Sequence, residues 1–342
     1  MDIIRFATIG TNFIVDWFTT AAKYCPQLEY EVTYSRNKET AKAYSEKMGS
    51  NRYTTDLMGL ARDEEVDAVY IASPTSCHYE QAKLMLENGK HVLCEKPATS
   101  NYAELCKLVE LAESKDLVFM EGMRCVHTEG FKWIKENMYK LGTVRRATFQ
   151  YCQYSSRYDK FKAGIIENAF KPELSNGALM DIGVYCSHSM MSLFGEPESV
   201  FAQSYMIPNS IDGEGTIVVN YPEMMGEIIY SKITNSKLPS QIQGEKGAMI
   251  IREIPHPQHI EIIYNDGTKE EYIKSVEGFE DEHGILGEVQ DWTRIINSVK
   301  MNTKDKESCL AEMAKWNRDS LNTLKLMDEA RRQQGIVWNC EK

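Results

Sequence analysis

The stretch "VDAVYIASPTSCHYEQAKLMLENGKHVLCEKP", residues 66–97, reads as strand, helix, strand. Val66 to Pro74 is a mostly apolar run closed by a proline. His78 to Gly89 spaces its apolar residues as a helix does and stops at a glycine. His91 to Cys94 again suit a buried strand. Pro97 ends that strand, because it has no N–H for the ladder and fixes its own φ. Two strands joined by a helical crossover make a parallel pair. One question is left over: why this strand exit carries an acid, an amine and a proline, Glu95-Lys96-Pro97, in immediate succession.

The same alternation extends in both directions. "IIRFATIG" (3–10), "EYEVTYSR" (29–36) and "LVFMEGM" (117–123) are further strands; "FIVDWFTTAAKY" (13–24), "KETAKAYSEKMG" (38–49) and "NYAELCKLVELAESK" (101–115) are helices between them. Five strands in strict β-α alternation predict an α/β, doubly wound parallel sheet covered by helices on both faces. Ligands bind such sheets at the carboxyl ends of the strands, where Glu95-Lys96-Pro97 sits. After about residue 123 the grammar changes. A helix (127–142), a strand (144–155) and a polar stretch (156–174) lead into an apolar helix, "GALMDIGVYCSHSMMSLFG" (177–195). Strand-like runs follow without helices between them, the last a hairpin turning at Asp266-Gly267. Two amphipathic helices, 285–299 and 308–333, close the chain. Successive strands predict an antiparallel sheet, so the second part is an α+β domain. A chain of 342 residues exceeds one ordinary core, and the expected domains are 1–122 and 123–342.

A net charge of -11 argues against nucleic acid or an anionic membrane as partner, though not against one phosphate-bearing ligand in a local site. No apolar run is long enough to span a bilayer. Asp2 and Arg5 interrupt the opening residues, unlike a secretory leader. Nine scattered cysteines without a C-x-x-C pair are the usage of a reduced, cytoplasmic protein. His256 and His259 lie among prolines with no cysteine nearby, so no metal is expected there or elsewhere.

The first strand-to-helix turn, "IGTNF", has the context of a dinucleotide fingerprint. Gly10 supplies the tight turn, and Phe13 and Ile14 open the helix whose N-terminus faces the phosphates. Asn12 and Val15 stand where further glycines are usual, and Asn tolerates unusual φ better than most residues. A generic turn explains the pattern equally well. The second strand exits into Ser35-Arg36-Asn37-Lys38, where an NAD site usually places an acid for the ribose hydroxyls. Ser35 and Arg36 suit a 2′-phosphate instead, so the expected cofactor is NADP, with NAD as the alternative.

With "GTNF" after strand one, "SPTSCH" after strand three, "EKP" after strand four and "GALMDIGVY" on a later helix, the chain resembles the Gfo/Idh/MocA oxidoreductases, named for glucose–fructose oxidoreductase and inositol dehydrogenase. The likeness runs the length of the chain, and "EKP" with "DIGVY" is its more specific part. It implies an N-terminal Rossmann domain, a C-terminal domain on an open, mostly antiparallel sheet, and assembly into homodimers or homotetramers through that sheet. It also implies NAD(P)-dependent hydride transfer on sugars, polyols or diols. Carried over, Lys96 is the lysine beside nicotinamide and substrate, and Asp181 the acid of the second domain. Tyr185 stands where many members have histidine, as in the branch of dimeric dihydrodiol dehydrogenases and NADP-linked xylose dehydrogenases, and points away from inositol. Ser73, Pro74, Thr75, His78, Glu95 and Pro97 line the cofactor side, and His188 and Arg124 the substrate side. The likeness also suggests a cis Lys96-Pro97 peptide.

Oxidising a secondary alcohol takes a hydride acceptor and a base for the hydroxyl proton. Asp181 and Tyr185, four apart, share one face of a helix. A free tyrosine pKa near 10 is too high for a base at neutral pH, and a lysine such as Lys96 favours the phenolate. The reading of the residues leaves three functions open: such an oxidoreductase, a nucleotide-binding sensor without catalysis, and an NAD-dependent glycosidase. Lysine at a strand exit is often only solvated, and Tyr185 and His188 also suit a structural role in an apolar helix.

Overall fold

A computed structural model describes residues 3–274, 281 and 283–342 of the chain. The first part runs β1 (Ile4–Ile9), α1 (Phe13–Ala22), β2 (Leu28–Tyr34), α2 (Lys38–Met48), β3 (Arg52–Thr54), α3 (Leu57–Ala61), β4 (Ala68–Ile71), α4 (Thr75–Glu87), β5 (His91–Glu95), α5 (Tyr102–Ser114) and β6 (Phe119–Gly122). The strands form one sheet in the order β3-β2-β1-β4-β5-β6, and every neighbouring pair is parallel. The expected doubly wound sheet is present, with one strand more than the five predicted. Three-residue β3 and five-residue α3 are too short for a periodic pattern to stand out in the sequence. Side-chain caps fix where helices begin: Asn37 accepts from the Thr40 N–H at 2.8 Å and Asn101 from the Glu104 N–H at 2.9 Å. Strand order reverses between β1 and β4, so the crevice of this fold opens at their carboxyl ends.

The remainder runs α6 (Glu129–Asn137), β7 (Val144–Cys152), α7 (Tyr158–Lys162), a π turn (Leu179–Gly183), α8 (Val184–Phe194), β8 (Ser199–Ile207), β9 (Ile211–Asn220), β10 (Met225–Ser231), β11 (Ser240–Gly244), β12 (Gly247–Ile251), β13 (His259–Tyr264), β14 (Lys269–Ile273), α9 (Leu286–Lys300) and α10 (Lys306–Gln333). An eight-stranded sheet takes the order β14-β13-β12-β11-β7-β10-β9-β8, antiparallel except where β10 meets β7. The hairpin turns as expected, with Gly267 at a φ of 86°. The π turn and α8 lie on β7 and β10. Gly183 permits that approach, since a Cβ there would lie 2.9 Å from the Tyr230 ring.

The chain divides into two compact units. One comprises Met1–Gly122 with Asp281–Arg318; the other comprises Met123–Glu280 with Asp319–Lys342. The division after residue 122 falls where the sequence grammar changes. Asp281–Arg318, expected in the second domain, instead completes the core of the first. Val289, Trp292, Ile295 and Ile296 of α9 are fully buried in the cluster that holds Phe6, Phe18 and Tyr70. Phe18 stacks on Tyr70 at 3.8 Å and meets Trp292 edge-on at 5.9 Å. The apolar stripe of α9 was legible; which sheet it covers was not.

Candidate functional site

In the first unit, β1 ends at Gly10, whose φ is 123°. A Cβ there would lie 2.7 Å from the Ala72 carbonyl oxygen at the end of β4, so the turn admits no side chain. Asn12 does two things: its amide donates to that same Ala72 oxygen at 2.8 Å, and its carbonyl oxygen accepts from the Ile14 N–H at 3.1 Å. It therefore caps α1 and ties the turn across the crevice, which explains asparagine where glycine is usual. Val15 is fully buried, whereas Phe13 is exposed and Ile14 half-buried. A narrow glycine turn at a helix N-terminus fits a dinucleotide's pyrophosphate. Arg36 and Asn37, at the exit of β2, are exposed, and Ser35 accepts from the Asn37 N–H at 3.4 Å.

The β4 and β5 exits are joined by His78. One ring nitrogen lies 2.8 Å from the Ser73 carbonyl oxygen and the other 3.0 Å from that of Pro97. Burial lowers the pKa of this ring against the two carbonyls that favour its protonated form. Ser73 donates to Gln81 at 2.6 Å, and Pro74 and Thr75 begin α4 beside it. The acid and amine after β5 part company. Glu95 turns inward, accepting from the Tyr70 hydroxyl and, at 3.2 Å, from the Lys96 N–H. Burial, and then Glu95, push the Tyr70 pKa well up. Every residue from His91 to Ser100 is buried except Lys96. The fold thus turns the acid inward and leaves Lys96 half-buried at the exit of β5. The Lys96-Pro97 peptide is cis.

In the second unit, Asp181 lies on the π turn and Tyr185 in the first turn of α8. A π turn bonds i to i+5, so the helix is locally wider at Asp181 than at Tyr185. Asp181 forms an ion pair with the Lys232 ammonium, which follows β10. Tyr185 packs differently: the Arg124 guanidinium lies 5.5 Å from its ring centroid and Tyr151 meets it edge-on at 5.9 Å. The turn is held from beneath by Asp212 of β9, which accepts from the Leu179 N–H at 2.6 Å. Burial raises the Asp212 carboxyl pKa to about 6. His188 is buried, with Nδ1 3.3 Å from the Thr323 hydroxyl, and burial lowers its pKa to about 3. That is the setting of a core histidine.

Lys232, Asp212 and Tyr151 were not singled out from sequence. A signal for Lys232 exists: in "GEIIYSKIT" it is in phase with Ile228 and Tyr230, the buried face of β10. Elsewhere, donor atoms of His259, Glu261 and Glu271 lie within 4.8 Å of one another. His259 is bonded to Glu271 at 2.6 Å and Glu261 to Arg252 at 3.3 Å, so these groups satisfy their neighbours. No helix among the described residues is long and apolar enough to cross a membrane.

Comparison with known proteins agrees with both units. Residues 4–123 match the oxidoreductase family with an NAD-binding Rossmann fold, and residues 137–250 match the GFO/IDH/MocA C-terminal domain. The chain is 40% identical to a scyllo-inositol 2-dehydrogenase (NADP(+)) of Bacillus subtilis, over 99% of this chain and 100% of that protein. It is 26% identical to a trans-1,2-dihydrobenzene-1,2-diol dehydrogenase of Xenopus laevis, over 98% and 99% of the two chains. A 3-ketoreductase from Actinomadura kijaniata, crystallised with NADP and TDP-benzene, superposes with a TM-score of 0.83 at 20% identity, covering 97% of this chain and 98% of that one.

Proposed function

The chain belongs to the Gfo/Idh/MocA family of NAD(P)-dependent oxidoreductases, and from that premise we propose that it oxidises a ring polyol of the inositol class with NADP. The observation that carries this reading is the end-to-end likeness to an NADP-linked scyllo-inositol dehydrogenase. Tyr185 in place of histidine pointed away from inositol; a relative this similar outweighs that single position. NADP, when bound, takes or returns the hydride. The exit of β2, with half-buried Ser35, exposed Arg36 and no acid, suits the 2′-phosphate. Gly10 and the first turn of α1 suit the pyrophosphate.

The catalytic assignment rests on three residues. Lys96, the one half-buried residue of its otherwise buried segment, exchanges a proton with the substrate hydroxyl. The Tyr185 hydroxyl assists, and the Arg124 guanidinium over its ring stabilises negative charge on the phenol oxygen. Asp181 receives a further substrate hydroxyl. His188, bonded to Thr323 in the interior, supports the helix rather than the substrate. The chain works in the cytoplasm, where its nine free thiols, five of them buried, stay reduced. It assembles as a homodimer or homotetramer through the larger sheet, where Phe201 and Tyr205 of β8 are 67% and 60% exposed.

A spectrophotometric panel of inositols, aldoses and cyclic diols with NADP and with NAD tests this. Inositol-dependent NADP reduction is expected, and Arg36→Ala should remove the preference for NADP. Cofactor binding without turnover of any substrate would favour the sensor; hydrolysis of a glycoside with no net change in bound NAD would favour the glycosidase.

A further inference from the structure

The charged residue that meets Asp181 inside the second unit is one that no motif marks. Lys232 follows β10 on the buried phase of that strand, and its side chain is 4% exposed against 34% for Asp181. Its ammonium pairs with Asp181 Oδ2, lies 3.5 Å from the Ala169 carbonyl oxygen and sits 5.1 Å over the Phe170 ring. A buried ammonium is costly unless paired and oriented, so a lysine held here has a reason beyond packing. The backbone under Asp181 is fixed separately, by the Asp212 carboxylate on the Leu179 N–H and by close packing of Gly183 on Tyr230. A π turn inserts one extra residue per turn and lets the side chains around it re-aim, which is why such turns recur at functional sites. Once aimed this way, a carboxylate still rotates about its own side-chain bonds. Lys232 removes that freedom from below.

We propose that Lys232 is a positioning residue of the substrate site: it locks the Asp181 carboxylate in one orientation, so that the acid accepts a substrate hydroxyl next to the carbon that loses hydride. The substrate class is then a compound with neighbouring hydroxyls, a vicinal diol within a polyol, and a simple secondary alcohol is a poor substitute. This rests on Asp181 being a substrate-contacting residue, as assigned above.

The test uses the full-length protein with NADP and two substrates, an inositol and cyclohexanol. Lys232→Met keeps most of the length and removes the charge; it should reduce kcat/KM for the polyol by about 10–100-fold, the scale of a misplaced group, and leave the NADP dissociation constant unchanged. Turnover of cyclohexanol, which has no second hydroxyl to place, should change less than threefold. Lys232→Arg should restore part of the polyol activity. In an Asp181→Asn background the Lys232→Met change should cost nothing further, because the two act as one unit. A merely structural lysine would instead weaken both substrates equally, lower the melting temperature, and add its cost in either background; that result overturns the proposal. Near-normal polyol turnover by Asp181→Asn overturns the assignment of Asp181 and the inference together. An inactive Asp181→Asn beside a fully active Lys232→Met overturns the inference alone. Should Lys232→Met fail to fold, Lys232→Gln with the same two substrates reads the same ratio.

Discussion

Replacing Asp212 by asparagine should make the protein's stability respond to pH in a new way. Asp212 is 1% exposed, and burial raises its carboxyl pKa from an ordinary 3.8 to about 6. A raised folded-state pKa means the stabilising contribution is fully present below the unfolded value and is lost as pH climbs through about 6. At 1.36 kcal/mol per unit the loss is about 3 kcal/mol, most of it between pH 4 and pH 7. Asparagine keeps an oxygen to accept from the Leu179 N–H and does not titrate, so it escapes the loss. At pH 4 the two proteins should melt within a few degrees of each other. By pH 7 the variant should have gained about 6–12 °C on the wild type, taking about 2–4 °C per kcal/mol for a unit of this size. Thermal melts of both proteins at intervals from pH 4 to pH 7 give the comparison, since all other titrating groups are common to the pair. A melting difference that stays constant across this range would refute the argument that burial raises the pKa of this carboxyl. Polyol turnover by the same variant reports whether the support under the π turn matters for Asp181.

Lys96→Met should lower kcat by about 10²–10⁴ with NADP affinity within a few-fold of normal, and Tyr185→Phe should lower it similarly, the double variant being little worse than the poorer single; near-normal turnover by Lys96→Met ends that assignment. Gly10→Ala places a Cβ 2.7 Å from the Ala72 oxygen at a φ of 123°, so NADP should bind about tenfold or more weakly, at the roughly 1–3 kcal/mol of such backbone strain. An unchanged dissociation constant by fluorescence titration would count against the turn as the phosphate cradle. His91 runs opposite to Asp212. Its Nδ1 accepts from the Val118 N–H at 3.0 Å and burial lowers its pKa to about 4, so its contribution is present above about 6.5 and lost as pH falls through 4. His91→Asn should flatten the melting temperature between pH 7 and pH 4.5.

The parallel sheet could be read from the sequence because its longer strands are mostly apolar runs and helices α2 and α4 run into glycine stops, Gly49 and Gly89. Lys96 could be read because its neighbours Glu95 and Pro97 make an unusual strand exit. What escaped depends on partners far apart in the chain. Lys232 meets Asp181 across 51 positions and Asp212 meets Leu179 across 33, and a lysine at a strand exit is most often only solvated. The π turn escaped because "GALMDIGVY" has the apolar spacing of an ordinary helix, and one extra residue per turn leaves no compositional trace. β3 and β11 have only three and five residues, too few to show an alternating pattern.

Helix α9 has a consequence for how the protein is made. A ribosome finishes the six parallel strands at Gly122, yet Trp292 and its neighbours, which cover the Phe18 and Tyr70 face, emerge about 170 residues later, roughly 10–35 s at 5–20 residues per second. Through that interval the nascent sheet has an uncovered aromatic face in a crowded cell, a surface for a chaperone to hold. A fragment ending at Gly122 carries that face permanently and should aggregate. The same fragment supplied with a separate peptide spanning Asp281–Arg318 should recover solubility, because the missing wall of its interior is then returned in trans.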